Sequence, residues 1–348
     1  MAMVAEVVDA VVGGDTHKDT HTLQMLTPVG VAIASMTVPN DAGGYAAVIA
    51  WITEHAPGPR VVVGLEGTRS YGIGLARALT AAGLSVVEVE HPKREQRHGR
   101  GKSDPIDAHL GAVQVLRMDT DRLPIPRADG DREALRILLG ARTELVTTQT
   151  RHINQLRALL LGGDDRDRAL SHGRVAAAWL EQIIRRRAGT DETREQAVRR
   201  AEARRLAIAI RDADRELKTN RAQLTAIVDD LAPGLLTRYG IGAVTAAQAI
   251  ISWSHPGRCR NEAAFAALAG ANPIPASSGR TVRHRLNRGG DRHLNQALHT
   301  IALTRWRSCP RTYIDRRRAE GKTDREIRRI LKRYIARELF RTLNAATA

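Results

Sequence analysis

Four carboxylates stand where they could hold divalent metal ions: Asp15, Glu66, Asp104 and Asp107. Asp15 and Glu66 each follow an apolar run, and Asp104 and Asp107 are three residues apart at a predicted helix start, which places both on one face. Four converging acids repel one another unless cations neutralise them, and carboxylate oxygens are ligands that Mg²⁺ prefers. The pattern predicts a two-metal centre for phosphodiester cleavage, with Mg²⁺ or Mn²⁺. Each acid alone also suits an ordinary turn or helix cap.

A second group with chemical potential lies near the carboxyl end of the chain. Ser277 and Ser278 precede a glycine, and four arginines follow within ten residues: Arg280, Arg283, Arg285 and Arg288. A serine beside guanidinium groups suits attack on a phosphate, because arginines bind the non-bridging oxygens. The same residues also fit a flexible Ser-Ser-Gly turn.

Alternating strands and helices must position the first two acids. The residue pattern predicts strands at Glu6–Gly14, His21–Leu26, Val31–Val38, Arg60–Leu65 and Ser85–Val89, and helices from Asn40 or Asp41 to about His55 and at Tyr71–Ala82. Three strands, helix, strand, helix, strand is the order of the ribonuclease-H-like fold, whose first and fourth strands are neighbours. Asp15 and Glu66 are therefore expected to meet at one edge of a sheet.

Helices dominate the rest of the chain. The predicted helices are Asp104–Arg117, capped by Ser103, then long coiled-coil-like helices in Asp129–Leu161 and Arg174–Leu231, with a linker at Leu123–Pro126. Leu235–Ile251 is typical of two helices joined by a tight turn, where amides near Gly240 and Gly242 could grip a phosphate. An ordinary helical hairpin fits that segment equally well. The predicted fold class is α/β plus all-α.

The charge of the chain points to a polyanionic partner. Lys and Arg number 54 against 38 Asp and Glu, a net charge of +16, and residues 280–348 alone carry 19 basic against 6 acidic side chains. Arg325–Arg341 is predicted to form a helix with an apolar stripe and a basic face. The stripe comprises Ile327, Ile330, Leu331, Tyr334, Ile335 and Leu339, and the face comprises Arg328, Arg329, Lys332 and Arg333. Such a face can follow a nucleic-acid backbone, although a merely solvated face or binding to a membrane surface is also compatible with it.

Composition excludes several classes of protein. Only 4 Trp, 5 Tyr and 2 Phe are present, which disfavours base stacking on single strands and favours duplex or structured RNA held by its backbone. No apolar run is long enough for a membrane span, and the amino end lacks a secretory pattern, so we expect a cytoplasmic protein, nucleoid-associated when bound to DNA. Cys259 and Cys309 make no zinc or disulfide pattern. His17, His91, His98 and His109 flank the acids and are interpreted as polar or phosphate-facing residues.

Three segments around the acids resemble a known family. They are Gly14-Asp15-Thr16-His17-Lys18, Gly64-Leu65-Glu66-Gly67-Thr68 and Lys102-Ser103-Asp104-Pro105-Ile106-Asp107-Ala108. They look like the three acidic motifs of the DEDD insertion-sequence transposases, which are related to the Piv/MooV DNA invertases and include bridge-RNA-guided recombinases. The resemblance covers nearly the whole chain, and the segment from Lys102 to Ala108 is its most specific part.

This resemblance implies a division of the chain and roles for its residues. It implies a RuvC-like catalytic domain at residues 1–125 with magnesium on the four acids, a helical coiled-coil-like region at 126–232, and a transposase domain at 233–348. Ser278 matches the family's nucleophile, which becomes attached to DNA, with Ser277 as the fallback. Arg288-Gly289-Gly290-Asp291 matches a family turn but has an additional glycine. DNA, a structured guide RNA and a homo-oligomer, dimer or tetramer, are the implied partners.

The leading hypothesis is a recombinase or transposase of an insertion element that cuts and rejoins DNA. The residues predicted to contact nucleic acid are Lys102, Gly240, Gly242, Arg280, Arg283, Arg285, Arg288, Arg328, Arg329, Lys332 and Arg333. The alternatives are a RuvC-like junction nuclease that uses water and a nucleic-acid-binding protein without catalysis. An actin-like kinase is disfavoured because a second glycine-rich phosphate motif is missing.

Overall fold

The computed structural model describes residues 2–91, 103–276, 284–307 and 311–346. It divides the chain into two compact units. Unit 1 comprises Met1–Glu133 and Trp253–Arg260, and unit 2 comprises Ala134–Ser252 and Asn261–Ala348. The three-part division derived from the sequence stays a prediction.

Unit 1 is a mixed α/β structure around one five-stranded sheet, in agreement with the predicted class for this part of the chain. Its elements are α1 (Val4–Val7), β1 (Ala10–Thr16), β2 (Thr20–Leu26), β3 (Ala32–Pro39), α2 (Ala42–His55), β4 (Val61–Leu65), α3 (Ile73–Ala81), β5 (Ser85–Glu88) and α4 (Asp104–Leu116). The predicted order of strands and helices is confirmed. The predicted start of the first strand at Glu6 is wrong, because Val4–Val7 is a helical turn and β1 begins after Asp9, whose carboxylate binds Arg60.

The sheet has the strand order β3-β2-β1-β4-β5. β1 runs antiparallel to β2 and parallel to β4, and β4 runs parallel to β5. Helices α2 and α3 cover one face with an apolar cluster, and α1 and α4 cover the other. Because β1 and β4 are parallel neighbours, their carboxyl ends lie at the same edge of the sheet.

Helix α4 packs directly on the backbone of the two central strands. Gly13 of β1 is paired with Gly64 of β4. A Cβ on Gly13 would lie 2.0 Å from the Ala108 carbonyl oxygen and 2.3 Å from the Ala112 nitrogen. A Cβ on Gly64 would lie 2.2 Å from a methyl group of Val115. Because these two glycines lack side chains, α4 can lie directly against the backbone of the sheet, and we call Gly13 and Gly64 the glycine seat of α4.

Unit 2 is largely helical. Its elements are α5 (Gly130–Leu161, which begins in unit 1), α6 (Asp165–Ser171), α7 (Ala177–Ile184), α8 (Arg194–Leu231), α9 (Ala243–Trp253, which ends in unit 1), α10 (Glu262–Leu268), β6 (Ile274–Pro275), β7 (His284–Arg285), α11 (Arg292–Trp306), α12 (Arg311–Ala319) and α13 (Asp324–Ala346). The largely helical class predicted for the carboxyl-terminal part of the chain is confirmed. None of the described helices combines the length and the apolar character needed to cross a membrane.

The two longest helices form an antiparallel pair. The Asn220 amide of α8 donates to the Leu138 carbonyl of α5 at 2.9 Å, and Gln149 of α5 donates to Asp214 of α8 at 2.7 Å. At the far end of the pair, Arg199 donates to the Leu159 carbonyl at 2.6 Å. The two helices therefore pack against each other along their length in a constant register, as a coiled-coil-like arrangement requires.

Two of the predicted helices differ from the structure. The continuous helix predicted from Arg174 to Leu231 is wrong, since α7 ends at Ile184 and α8 begins at Arg194 with a capping box between Thr193 and Gln196. The first helix predicted in Leu235–Ile251 is also wrong. Residues 232–240 form consecutive turns after Pro233 ends the preceding helix, and only α9 is helical there.

Candidate active site

Asp15 and Glu66 lie at the same edge of the sheet, as the sequence predicted. Asp15 is near the end of β1 and only 5% exposed, and Glu66 follows β4 directly. The Glu66 amide donates to the Gly14 carbonyl at 3.1 Å, and the Thr16 hydroxyl donates to the Glu66 carbonyl at 2.8 Å. These two bonds tie both neighbours of Asp15 to the backbone of Glu66, Gly14 through its carbonyl and Thr16 through its side chain.

Asp104 and Asp107 occupy the first turn of α4. Asp104 is exposed, whereas Asp107 is 4% exposed and its amide donates to the Ser103 carbonyl at 3.1 Å. The positive end of a helix dipole favours carboxylates in a first turn. The seating of α4 on Gly13 brings this turn to the edge of the sheet that carries Asp15.

His17 links two of the predicted acids. Its Nε2 lies 3.2 Å from Asp15 Oδ2 and 3.5 Å from Asp104 Oδ1. The potential ligand atoms of Asp15, His17 and Asp104 all lie within 4.8 Å of one another, which is close enough for one cation to contact all three. Among the described residues, Glu66 and Asp107 are not part of this tight group, although both act on it electrostatically.

The charges at this edge favour a bound cation. Burial raises the pKa of the Asp15 carboxyl, and the carboxylates of Glu66, Asp104 and Asp107 raise it further, while His17 lowers it. An ionised Asp15 is therefore costly until a positive charge arrives. Two carboxylates and an imidazole fit Mg²⁺ or Mn²⁺ in donor chemistry, since both cations accept oxygen ligands and Mn²⁺ also accepts nitrogen.

Two histidines near the acids have more specific contacts than the sequence indicated. His91, three residues after β5 ends, is hydrogen-bonded through Nδ1 to Glu66 Oε1. His17 and His91 therefore contact carboxylates, which fits the interpretation as polar residues and names the partners that the sequence left open. A signal was present for His17, because residues two apart along an extended chain point to the same side.

Several predicted residues cannot be placed in this geometry. Lys102, Ser277, Ser278, Arg280 and Arg283, as well as His98, lie outside the described residues. Arg285 in β7 and Arg288 after it are exposed.

The predicted phosphate-gripping turn has a different local structure. The Gly242 amide donates to the Thr245 hydroxyl at 3.1 Å, so this donor is already used inside its own turn. Gly240 has a positive φ of 79° and lies beside Arg305, which donates to the Tyr239 carbonyl at 2.8 Å. Both glycines fit a structural role in the entry to α9.

The basic face predicted on α13 is partly engaged within unit 2. Lys332 donates to Asn295 Oδ1 at 2.9 Å, Arg333 donates to the Glu262 carbonyl at 3.3 Å, and the Arg328 guanidinium lies 5.5 Å from the centre of the Trp306 ring. The predicted apolar stripe is confirmed at its buried members, but Tyr334 is 46% exposed. Arg329 has no hydrogen bond or ion pair with any other described residue.

Comparison with known proteins assigns the chain to a family. Residues 12–163 match the DEDD transposase model of the IS110 type, described as a transposase, and residues 233–320 match the model of the IS116/IS110/IS902 transposase family. The chain is 28% identical to the 42 kDa protein of insertion element IS900 from Mycobacterium paratuberculosis, with 89% of each chain covered. It is 25% identical to the 43.6 kDa protein of insertion element IS110 from Streptomyces coelicolor, with 98% of this chain and 96% of that protein covered. The two models together span both units, and the acids lie within the first match: the chain belongs to the IS110 family of DEDD insertion-element transposases.

Proposed function

We propose that this transposase cuts and rejoins DNA strands with Mg²⁺ held at the carboxyl-terminal edge of its sheet. The observation that carries this proposal is the group of Asp15, His17 and Asp104 within ligand distance of one another, next to Glu66 and Asp107. The strand order β3-β2-β1-β4-β5 supports a RuvC-like assignment of unit 1. Bound Mg²⁺ would polarise a phosphodiester and stabilise the charge that develops on its oxygens.

Each residue of this edge has a proposed part. Asp15 and Asp104 supply the first carboxylate ligands, and Glu66 and Asp107 complete the set of four. His17 is the nitrogen ligand beside Asp15 and Asp104, and His91 holds the Glu66 carboxylate in place through a hydrogen bond. The buried Asp15 is shielded from water, which strengthens its attraction to a cation.

Ser278 is the proposed nucleophile, with Ser277 as the fallback. Support comes from the serine motif and from the family match that includes it, residues 233–320. In the proposed step the serine oxygen bonds to phosphorus, the bond from phosphorus to a strand oxygen breaks, and that oxygen leaves with a proton. Attack by the hydroxyl of a second strand reverses the exchange and frees the serine, so the strands are joined without an external energy source.

A structured guide RNA and an oligomeric assembly complete the proposal. The net charge of +16 and the few aromatic residues support a partner that is held by its phosphates. The choice of RNA over other polyanions comes from the family resemblance, as does the oligomer.

The metal centre is tested by Asp15→Asn and Asp104→Asn, with Asp41→Asn as the matched control. Asp41 caps α2 by accepting from the Gly44 amide at 2.8 Å, and Asn caps a helix equally well. Titration calorimetry with Mn²⁺ should give binding in the wild type and in the control, and at least a tenfold loss of affinity in the two site variants. Equal Mn²⁺ affinity in all four proteins would refute the site.

The nucleophile is tested with element-end DNA, Mg²⁺ and the RNA transcribed beside the element. The wild type should form a protein–DNA adduct whose tryptic peptide carries the nucleotide on Ser278, and Ser278→Ala should form none and cut nothing. Full cleavage by Ser278→Ala without an adduct would instead establish a nuclease that uses water. Normal transposition by Asp15→Asn would establish a binding protein without catalysis at this edge.

A further inference from the structure

Unit 2 contains a cavity of about 360 Å³ between the β6–β7 ribbon and α13. Its lining includes six cationic side chains: Arg285, Lys322, Arg329, Lys332, Arg333 and Arg337. The volume is within the range of small-molecule sites. β6 and β7 are the segments on either side of residues 277–283, which carry the proposed nucleophile.

The positive charge of this cavity is only partly balanced: Arg337 pairs with Glu262 at 2.8 Å, and Glu326 attracts Arg329 electrostatically. Glu326 is the one carboxylate in the described lining, and it already accepts hydrogen bonds from the amide and the hydroxyl of Thr323, both at 2.8 Å. Arg285 and Arg329 form no hydrogen bond or ion pair with any other described residue. Burial and the neighbouring Arg329 lower the pKa of Lys332, which is the expected response of a lysine that lacks a nearby anion. The cavity therefore attracts an anion.

The cavity also has apolar and aromatic lining residues. Tyr334, 46% exposed, lines it together with Ile330 and Leu286, and the Arg337 guanidinium lies 5.8 Å from the centre of the Tyr334 ring. A large aromatic ring left exposed beside cations is a platform on which a base can stack. Inorganic phosphate would use only the cationic side chains, and an acidic peptide would leave the ring without a planar partner.

We propose that this cavity binds one unpaired nucleotide of a polynucleotide strand, with the phosphate on Arg329 and Lys332 and the base on Tyr334. The proposal rests on the proposed function only for the identity of the strand. It departs from the expectation from composition, because one well-placed tyrosine is enough for one base even when aromatic residues are scarce. DNA and RNA share the phosphate and the base, so the test separates them.

The test is binding by the full chain, measured without Mg²⁺ so that no strand is cut. Fluorescein-labelled dT12, rU12 and a 12-base-pair duplex are titrated by anisotropy at several salt concentrations. Arg329→Gln should weaken single-strand binding by about tenfold and reduce the salt slope by about one ion. Arg325→Gln removes the same charge from an exposed position on the same helix, outside the cavity, and should change affinity by less than about threefold.

Substitutions of Tyr334 distinguish a nucleotide pocket from a general basic surface. Tyr334→Phe should bind as the wild type does, and Tyr334→Leu should lose roughly 5- to 100-fold for the single strands with no change for the duplex. Circular dichroism checks that both variants keep the helix content. Tighter binding of dT12 or of rU12 identifies the strand.

Wild-type affinity in Tyr334→Leu, or equal losses for single strands and duplex, would overturn the proposal. These outcomes are independent of the proposed function, because Mn²⁺ binding at Asp15 and the serine adduct are measured separately.

Discussion

Replacement of Gly13 by alanine should separate helix α4 from the sheet and open the candidate active site. The new Cβ would lie 2.0 Å from the Ala108 carbonyl oxygen and 2.3 Å from the Ala112 nitrogen. Both atoms belong to the backbone of α4, so no side-chain rotation can relieve the contact. Ordinary contact begins at 3.4 Å, and the helix must therefore move by about 3.4 − 2.0 = 1.4 Å.

The cost of this movement can be estimated from overpacked cores. Such substitutions cost about 1–3 kcal/mol, and a backbone neighbour places Gly13→Ala at the upper end. A loss of about 3 kcal/mol corresponds to roughly 100-fold faster exchange of the amides that α4 protects. Because Asp104 is the first residue of α4, the same movement spreads the ligand atoms that now lie within 4.8 Å. Affinity for Mn²⁺ should fall at least tenfold.

Gly111→Ala is the matched control on the other side of this contact. Its Cβ would lie 3.6 Å from a Val89 methyl group and 3.9 Å from the Gly13 Cα, both ordinary contacts. Alanine is favoured over glycine inside a helix by about 1 kcal/mol, so exchange in α4 should stay unchanged or become slower. Hydrogen-exchange mass spectrometry on peptides from 104–116, with Mn²⁺ calorimetry, measures both variants. Unchanged protection of α4 in Gly13→Ala, or equal effects of the two substitutions, would refute the reasoning.

Two further substitutions test the electrostatics of the two units. Glu338→Gln should destabilise unit 2 by about 2 kcal/mol in urea unfolding, because Glu338 accepts from Arg305 at 2.6 Å and pairs with Arg238 at 3.2 Å. These guanidinium groups hold the pKa of Glu338 below its ordinary value, so its contribution is complete above about pH 4.3 and is lost as the pH falls through the lowered pKa. The stability difference between wild type and variant should accordingly shrink below that pH, and a constant difference would contradict this account. Asp15→Asn should raise the melting temperature without metal, since it removes a buried charge repelled by three acids, while saturating Mn²⁺ should stabilise only the wild type. A lower melting temperature of metal-free Asp15→Asn would show that its hydrogen bond to His17 outweighs the repulsion.

The arrangement of unit 1 could be predicted from the sequence because local pattern and topology agree there. Short β-branched runs alternate with helices between clear turns, and an acid stands at the end of the two runs that become neighbours. The exact start of β1 could not be predicted, because the apolar character of Val4–Val7 suits a strand and a helix alike. The start of β1 is set by its pairing register with the neighbouring strands and by the bond between Asp9 and Arg60, which are 51 residues apart.

The long-range contacts of the candidate site could not be predicted from the sequence. The pairing of Gly13 with Gly64, which seats α4, depends on strand register and leaves no local pattern. The break before α8 is different, because Thr193 and Gln196 have the spacing of a capping box and mark a helix start. The turns at residues 232–240 could not be predicted, because the apolar spacing in Leu235–Ile251 suits a helix on both sides of the glycine turn.

The candidate site gathers four acids with few local means of neutralising them. The first turn of α4 offsets part of the repulsion at Asp104 and Asp107 through its helix dipole, which is worth at most about 2 kcal/mol and only within that turn. His17 can offset part of the charge at Asp15, but an imidazole carries at most one positive charge. If the four acids served only to pack the fold or to form hydrogen bonds, Asp15 would not need to be both buried and surrounded by carboxylates. The backbone hydrogen bonds between the strands and the glycine seat of α4 hold the four acids together in spite of their repulsion. A divalent cation bound by the active protein would neutralise these charges and so explains why the acids are clustered.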